Sequence, residues 1–269
     1  MTPSAPAMFR PCAALAGHVE FFGYWERSSG TTHRSRALPR GAATVIIDLS
    51  ARQRVDFFAA DGTTRLPVSP AFVAGAGSVS YVTQIDTAQT VMTIHFRPGA
   101  AVLSLPLGEL ENRCVGLAEV WGRDGIRLHE QLIDAPSAPA RIALAQNFLL
   151  RRLTPRRPAV AAVLAAAERD PGLRVSEAAE LTGLSAKRLI TQFRSDVGLA
   201  PKAYLRVRRL QAALRRLDTG TVPGAEIAAD LGYFDQAHFV RDFRSFTAMT
   251  PTQYAARRMW LPSHVGLAS

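Results

Sequence analysis

Residues 225–239, AEIAADLGYFDQAHF, followed by Phe243-Arg244 and by Met249-Thr250-Pro251 with Tyr254, decide how the second half of this chain folds. A short apolar-periodic run stops at Leu231-Gly232, and a second opens at Asp235 with Phe239, Phe243 and Phe246 at three- and four-residue spacing. This is a helix, a tight turn and a second helix. The same design occurs once more upstream: Phe193, Pro201 and Tyr204 repeat Phe243, Pro251 and Tyr254 at an offset of 50, with the spacing F-x7-P-x2-Y. Ala179-x3-Gly183 repeats Ala228-x3-Gly232 at an offset of 49. Glycine admits the positive φ of a tight interhelix turn, and a small alanine lets the two helices approach. Two such units make a duplicated helix-turn-helix arrangement.

Working outward, Ser176 is read as the cap of a helix ending near Gly183, and Ser185 as the cap of the next, ending near Gly198. Pro201 opens a longer helix that joins the two units and carries Arg206, Arg208, Arg209, Arg215 and Arg216. An alanine-rich helix over 158–168 comes before them, and helices over 225–231, 235–246 and 251–258 follow, so the spacing predicts six or seven. Charge follows the same division. Residues 1–150 hold 13 Arg against 12 Asp+Glu, a net +1, whereas residues 151–269 hold 19 Lys+Arg against 10 Asp+Glu, a net +9 of the total +10. A compact basic unit beside a neutral one is the electrostatic footprint of a polyanion, because each neutralised phosphate releases condensed counterions. An anionic membrane surface instead favours one basic amphipathic helix over several short capped ones.

The first half reads differently. Runs over 44–49 (TVIIDL), 55–58, 79–85 and 91–96 (VMTIHF), separated by Pro39-Arg40-Gly41, Asp61-Gly62 and Pro98-Gly99, predict an all-β sheet or small barrel between about 20 and 100. From Leu105 the pattern turns helical, with helices over 128–133 and 139–153. Thr154-Pro155-Arg156-Arg157-Pro158 then breaks the chain. The expected architecture is α+β in two domains: a β-rich, cupin- or barrel-like domain with trailing helices over 1–153, a linker over 154–158, and an all-α domain with two helix-turn-helix units over 159–269. Hydrophobic residues at 48% and charged ones at 20% exclude a disordered or fibrous chain. No run of eighteen apolar residues occurs, and the first residues lack the basic stretch and continuous apolar core of a signal peptide, so the expected location is the cytoplasm, at the nucleoid. Cys12 and Cys114 are too few for a disulfide framework and read as free thiols.

Residues 174–258 resemble the DNA-binding domain of AraC/XylS-type transcription regulators. The second unit is similar to that family's signature almost position for position, and Ala178-Ala179-Glu180-Leu181-Thr182-Gly183-Leu184-Ser185 resembles its first motif. The resemblance implies a sequence-specific transcription factor. In the first recognition helix Leu189, Phe193 and Val197 take the buried face. By family position Lys187, Ile190 and Thr191 are base readers, Ile190 for a thymine methyl, with Arg188 and Arg194 nearer phosphates. In the second, Gln236, Ala237, Val240 and Arg241 are the base-reading positions. Gln suits adenine N6/N7 and Arg suits guanine O6/N7, since each offers two bonds in the geometry the base presents. His238 is assigned to a phosphate or a structural role and Arg244 to a phosphate, and Arg206, Arg208 and Arg209 of the joining helix to phosphates or simple solvation. Tyr24-Trp25, Leu38-Pro39-Arg40-Gly41, Phe96-Arg97-Pro98-Gly99-Ala100 and Val120-Trp121-Gly122 resemble the β-rich sensory domain of some AraC-type regulators, which implies sensing or dimerisation.

For an effector the candidate pocket residues are Tyr24, Trp25, His33, Phe72, Arg97 and Trp121. The partners expected are double-stranded DNA, RNA polymerase, a small-molecule effector and a second copy of the chain. No cofactor, metal or catalytic residue is assigned: His18, His33, His95 and His129 are scattered without HxH or His-x-Glu pairing, and Cys114 has no nearby base, so it reads as a small buried hydrophobe. Two alternatives stay open, a DNA-binding regulator without a ligand and a barrel enzyme fused to a DNA-binding domain.

Overall fold

The structure is a computed structural model and describes residues 7–27, 33–50, 55–85, 89–220, 223–259 and 263–267. Its strands are β1 (Ala7–Phe9), β2 (Val19–Arg27), β3 (His33–Ala37), β4 (Thr44–Asp48), β5 (Val55–Phe58), β6 (Arg65–Leu66), β7 (Ala71–Ala74), β8 (Tyr81–Ile85), β9 (Gln89–Phe96), β10 (Cys114–Gly116) and β11 (His264–Gly266). They form two antiparallel sheets, ordered β1-β2-β9-β4-β7-β10 and β11-β3-β8-β5-β6. The helices of the first half are α1 (Leu117–Trp121), α2 (Arg123–Asp134) and α3 (Ala138–Leu150). Alternation along the strands gives the six-stranded sheet two different faces. Val45, Ile47, Met92 and Ile94 point to a core shared with Leu128, Leu132, Phe148 and Leu149 of α2 and α3. Thr44, Ile46, Val91, Thr93 and His95 point the other way, toward the five-stranded sheet and an internal cavity. The barrel-like architecture therefore agrees with the sequence reading.

Several elements depart from it. The strand β10 stands where helix was predicted from Leu105 on, because Cys114–Gly116 pairs with β7. The run from 79 narrows to Tyr81–Ile85. Strands β2, β3 and β7 were not anticipated, and β11 pairs with β3 from more than two hundred residues away in sequence.

The second half is helical over α4 (Pro158–Arg169), α5 (Val175–Thr182), α6 (Ala186–Val197), α7 (Pro201–Thr219), α8 (Gly224–Asp230), α9 (Gln236–Thr247) and α10 (Pro251–Arg257). Ser185 caps α6 by accepting from the Arg188 amide, Asp235 caps α9 by accepting from the His238 amide, and Thr250 and Gln253 form a capping box on α10. Ser176 is not a cap. It lies inside α5, whose N-cap is Arg174, with the Glu177 carboxylate accepting from the Arg174 amide at 2.7 Å. Gly183 and Gly232 occupy the two interhelix turns at φ +63° and +70°. No helix among the described residues is long and apolar enough to cross a membrane.

Candidate nucleic-acid interface and internal cavity

Each recognition helix is held from beneath by an aromatic and aliphatic stripe. Leu189, Phe193 and Val197 of α6, and Phe239, Phe243 and Phe246 of α9, are buried in one core with Tyr204 and Leu210 of α7. Phe193 meets Tyr204 edge-on at 5.2 Å, and Phe243 meets Tyr254 at 5.9 Å, so the repeated Phe and Tyr of the sequence are partners in both units. Burying those faces forces the opposite ones outward. Lys187, Arg188, Ile190, Thr191 and Arg194 are all exposed on α6. On α9, Gln236, Ala237, Arg241 and Arg244 are exposed, while His238 and Val240 are half-buried. His238 stands edge-on to Tyr233 at 5.3 Å, and Val240 packs against the helical core. Both lie at the margin of the outward face.

Arg241 has no ion-pair partner among the described residues. The two carboxylates nearest in sequence are otherwise engaged: Asp235 in its cap, and Asp242 with Arg206 and the Tyr233 hydroxyl.

The joining helix departs from expectation. Arg208 is 7% exposed and bonded to Glu168 of α4, because it follows Tyr204 by one turn and so shares its buried face. Its side chain is therefore drawn into the fold and not displayed on the surface as the phosphate assignment requires. Arg206 is bound to Asp242 and lies over the Phe246 ring at 4.9 Å; Arg209 lies over Tyr233 at 5.1 Å; Arg216 pairs with Asp230. These arginines tie α7 to the helices it joins.

The cavity between the two sheets has a volume of about 140 Å³. Trp25, Ile46, Phe57 and Val91 supply much of its apolar wall, and Arg40, His95 and Thr93 its polar end. Arg40 is paired with Glu20, lies over the Phe21 ring at 5.7 Å, and donates to His95 Nδ1. Arginine only donates, so His95 Nδ1 accepts, and the proton of the neutral ring sits on Nε2, facing Thr93 Oγ1 at 3.0 Å. Burial, and then the Arg40 charge, hold the His95 pKa well below its ordinary value. Burial likewise keeps the Tyr81 hydroxyl protonated.

Of the pocket residues chosen from sequence, Tyr24 and Trp25 line this cavity. Trp121 does not: its indole donates to the Val102 carbonyl at 3.3 Å and meets Phe148 in the helical side of the core. Phe72 is packed edge-on against Phe57 in a small cluster, and Arg97 reaches outward to the Ala16 carbonyl at 2.9 Å. His33 falls in β3, and its side chain lies outside the described residues. Sequence reasoning missed Phe21, Arg40, Tyr81 and His95. Arg40 carried a signal, since it lies in the quoted Leu38-Pro39-Arg40-Gly41 segment.

Among the described residues no group of three His, Cys, Asp or Glu is placed to hold a metal ion. Cys114 is half-buried, and burial pushes its thiol up to about 11.

Residues 178–257 match the family described as helix-turn-helix domain, and residues 7–116 match a domain of unknown function, DUF6597. The chain is 32% identical over 104 residues to a putative AraC-like transcription regulator of Streptomyces antibioticus, covering 38% of this chain and 34% of that one. It is 28% identical over 87 residues to the arabinose operon regulatory protein of Escherichia coli strain K12, covering 32% and 30%. Matches to these curated relatives thus span about a third of their length. Among solved structures, ToxT from Vibrio cholerae overlays with a TM-score of 0.47 at 12% identity, covering 87% of this chain and 97% of that one. The chain thus joins a stretch that matches DUF6597 to one that matches a helix-turn-helix domain.

Proposed function

We propose that this protein is a sequence-specific DNA-binding transcription regulator. It reads a bipartite site with α6 and α9 in successive major grooves and answers to a small molecule in the barrel cavity. One observation carries the reading: two separately capped helices bury their aromatic stripes and turn Lys187, Ile190 and Thr191, and Gln236, Ala237 and Arg241, outward on one basic domain. Arg188, Arg194 and Arg244 flank these positions and serve the phosphates. The 19 residues of α7 extend about 28 Å at 1.5 Å per residue, the right order for heads set one DNA turn of roughly 34 Å apart.

The cavity supports the effector part, being largely apolar and furnished with a few convergent polar groups. RNA polymerase and a second copy of the chain are the protein partners of this reading, and the cytoplasmic nucleoid is its location. Selection of bound sequences from random duplexes by the full-length protein, at two salt concentrations, tests it. Enrichment of a motif with two halves about one turn apart supports the regulator. Salt-sensitive binding without a motif sinks it. The effector part fails separately if a Val91→Trp variant, which fills the cavity, regulates a reporter as the parent does under every growth condition tried.

A further inference from the structure

The strand β11 belongs to two interiors at once. Successive side chains of a strand point to opposite faces. In β11 His264 lines the barrel cavity, while Val265 is fully buried in the helical core with α6, α7 and α9. The strand extends the five-stranded sheet: the Leu38 amide donates to the Ser263 carbonyl at 2.8 Å and the Leu267 amide to the Arg34 carbonyl at 3.0 Å. On its other side a bridge from Val265 to Arg258 ties it to the end of α10. The joining helix holds the same place. Gln211 of α7 donates to the Pro39 carbonyl at 2.6 Å and bonds the Ser263 hydroxyl at 3.0 Å. One short strand and one glutamine therefore connect the cavity wall to the helix that spaces the two recognition helices.

The volume and lining of the cavity suit one class of ligand. Its volume of about 140 Å³ is close to the roughly 150 Å³ apolar cavity that holds a benzene molecule in another protein. The Arg40 charge is already matched by Glu20, which leaves no spare Lys or Arg for an anionic ligand among the described lining residues. The polar end instead offers the Thr93 hydroxyl and its neighbours to one hydrogen-bonding group.

We propose that the cavity binds an uncharged molecule of about one aromatic ring with one hydrogen-bonding substituent, and that β11 is a latch whose closure this ligand tightens. This rests on the effector reading above and adds the ligand class and the route. A ligand that touches His264 and the barrel wall together binds the latched arrangement better than an unlatched one, so it shifts the population toward the latch. The coupling is reciprocal: loosening the latch weakens the ligand by the same factor.

The test uses full-length protein, p-cresol as probe, and benzoate and glycerol as the charged and non-aromatic comparisons. Calorimetric titration is run on the parent, on a chain ending at Met259, and on Gln211→Ala, which leaves the core side chains in place should the shortened chain fail to fold. Expected are saturable p-cresol binding to the parent, little with benzoate or glycerol, and about tenfold weaker p-cresol binding in the latch variants. Amide exchange at Leu267 should slow about tenfold with p-cresol bound. Equal p-cresol affinity in parent and folded variants, with Leu267 exchange unchanged, overturns the latch and leaves the effector reading standing. Failure of p-cresol to bind, or equal binding of benzoate, overturns the ligand class, whereas the effector reading itself falls only by the Val91→Trp result.

Discussion

Two arginines of one basic domain should behave oppositely when removed. Arg241 is exposed on α9 with no ion-pair partner among the described residues, so Arg241→Ala is a surface change worth less than about 0.5 kcal/mol in stability. On the proposed reading it removes, at the selected DNA site, a two-bond contact to guanine of about 1–3 kcal/mol, roughly a 5- to 150-fold loss of affinity, with a far smaller loss on scrambled duplex. Arg208 is buried on α7 against Glu168, whose side chain is 63% exposed and resolvates freely once its partner is gone. Arg208→Ala therefore costs mainly the packing of its aliphatic stem and a partly solvated ion pair, about 1–2 kcal/mol of stability. Its logarithmic salt slope of DNA binding should match the parent's, whereas a lost phosphate contact lowers that slope by about one. Arg208→Met keeps the stem and removes a buried Nε that lacks a hydrogen-bond partner among the described residues, so it should melt near the parent temperature. Anisotropy titrations on both duplexes at several salt concentrations, beside thermal melts, decide the matter. Equal losses on every sequence for Arg241→Ala, or a slope lowered by one for Arg208→Ala, would refute the reasoning.

Gly198 and Ala248 hold the same place in the two repeats, at φ +91° and +58°. A Cβ on Gly198 would lie 3.1 Å from Ala76 Cβ and from the Leu107 carbonyl, so Gly198→Ala should cost about 1–3 kcal/mol. Ala248→Gly relieves a left-handed alanine and should gain up to about 1 kcal/mol after glycine's larger entropy loss. Urea midpoints that move in the same direction for both would count against this account. Stability should also fall as pH drops from 7 to 5. His95, lowered by burial and Arg40, and His18, lowered by burial and Arg156, both titrate below 6.5 when folded, so the unfolded chain binds protons first. Each contributes a slope of at most about 1.4 kcal/mol per pH unit, and His95→Gln should flatten the profile; a urea midpoint independent of pH in the parent contradicts it.

The helical half was legible because its determinants are local. Caps, turn glycines and the Phe stripes lie within one or two turns of the structure they set, and only the Ser176 cap was misplaced, by two residues from Arg174. The β half was less so, for two physical reasons. The strand β7, AFVA, is buried on both faces and shows no alternation to find. The strand β3, HRSRA, hides behind its arginines, yet Arg34 and Arg36 donate to the Gly62 and Ala60 carbonyls, which satisfies part of each guanidinium at the sheet. No local pattern announces β11, since a three-residue strand is defined by its distant partner. The cavity failed for a related reason. Choosing aromatics by type selected Phe72 and Trp121, which fill cores, whereas the polar end is assembled from a loop arginine and one β9 face. Arg208 is the instructive miss. Tyr204, Arg208 and Ala212 stand at four-residue spacing on α7, a stripe in which the middle position is inward whatever its charge.

That inward arginine changes the meaning of the domain's charge. A net +9 read as a sum suggests a surface directed at DNA, but α7 sets three of its five arginines against carboxylates of three other helices: Glu168 of α4, Asp230 of α8 and Asp242 of α9. Each partly exposed pair is worth little in stability. Together they fix the orientation of each helix pair on a common rod, while Gln211 fixes the rod on the barrel. On the proposed reading the positive charge offered to DNA lies on α6 and α9, through Lys187, Arg188, Arg194, Arg241 and Arg244, all exposed, with Lys202 and Arg215 of α7 also exposed. The number of phosphates engaged, read from the salt slope, should accordingly follow those five side chains of α6 and α9 and not the paired arginines of the joining helix, Arg206, Arg208 and Arg216.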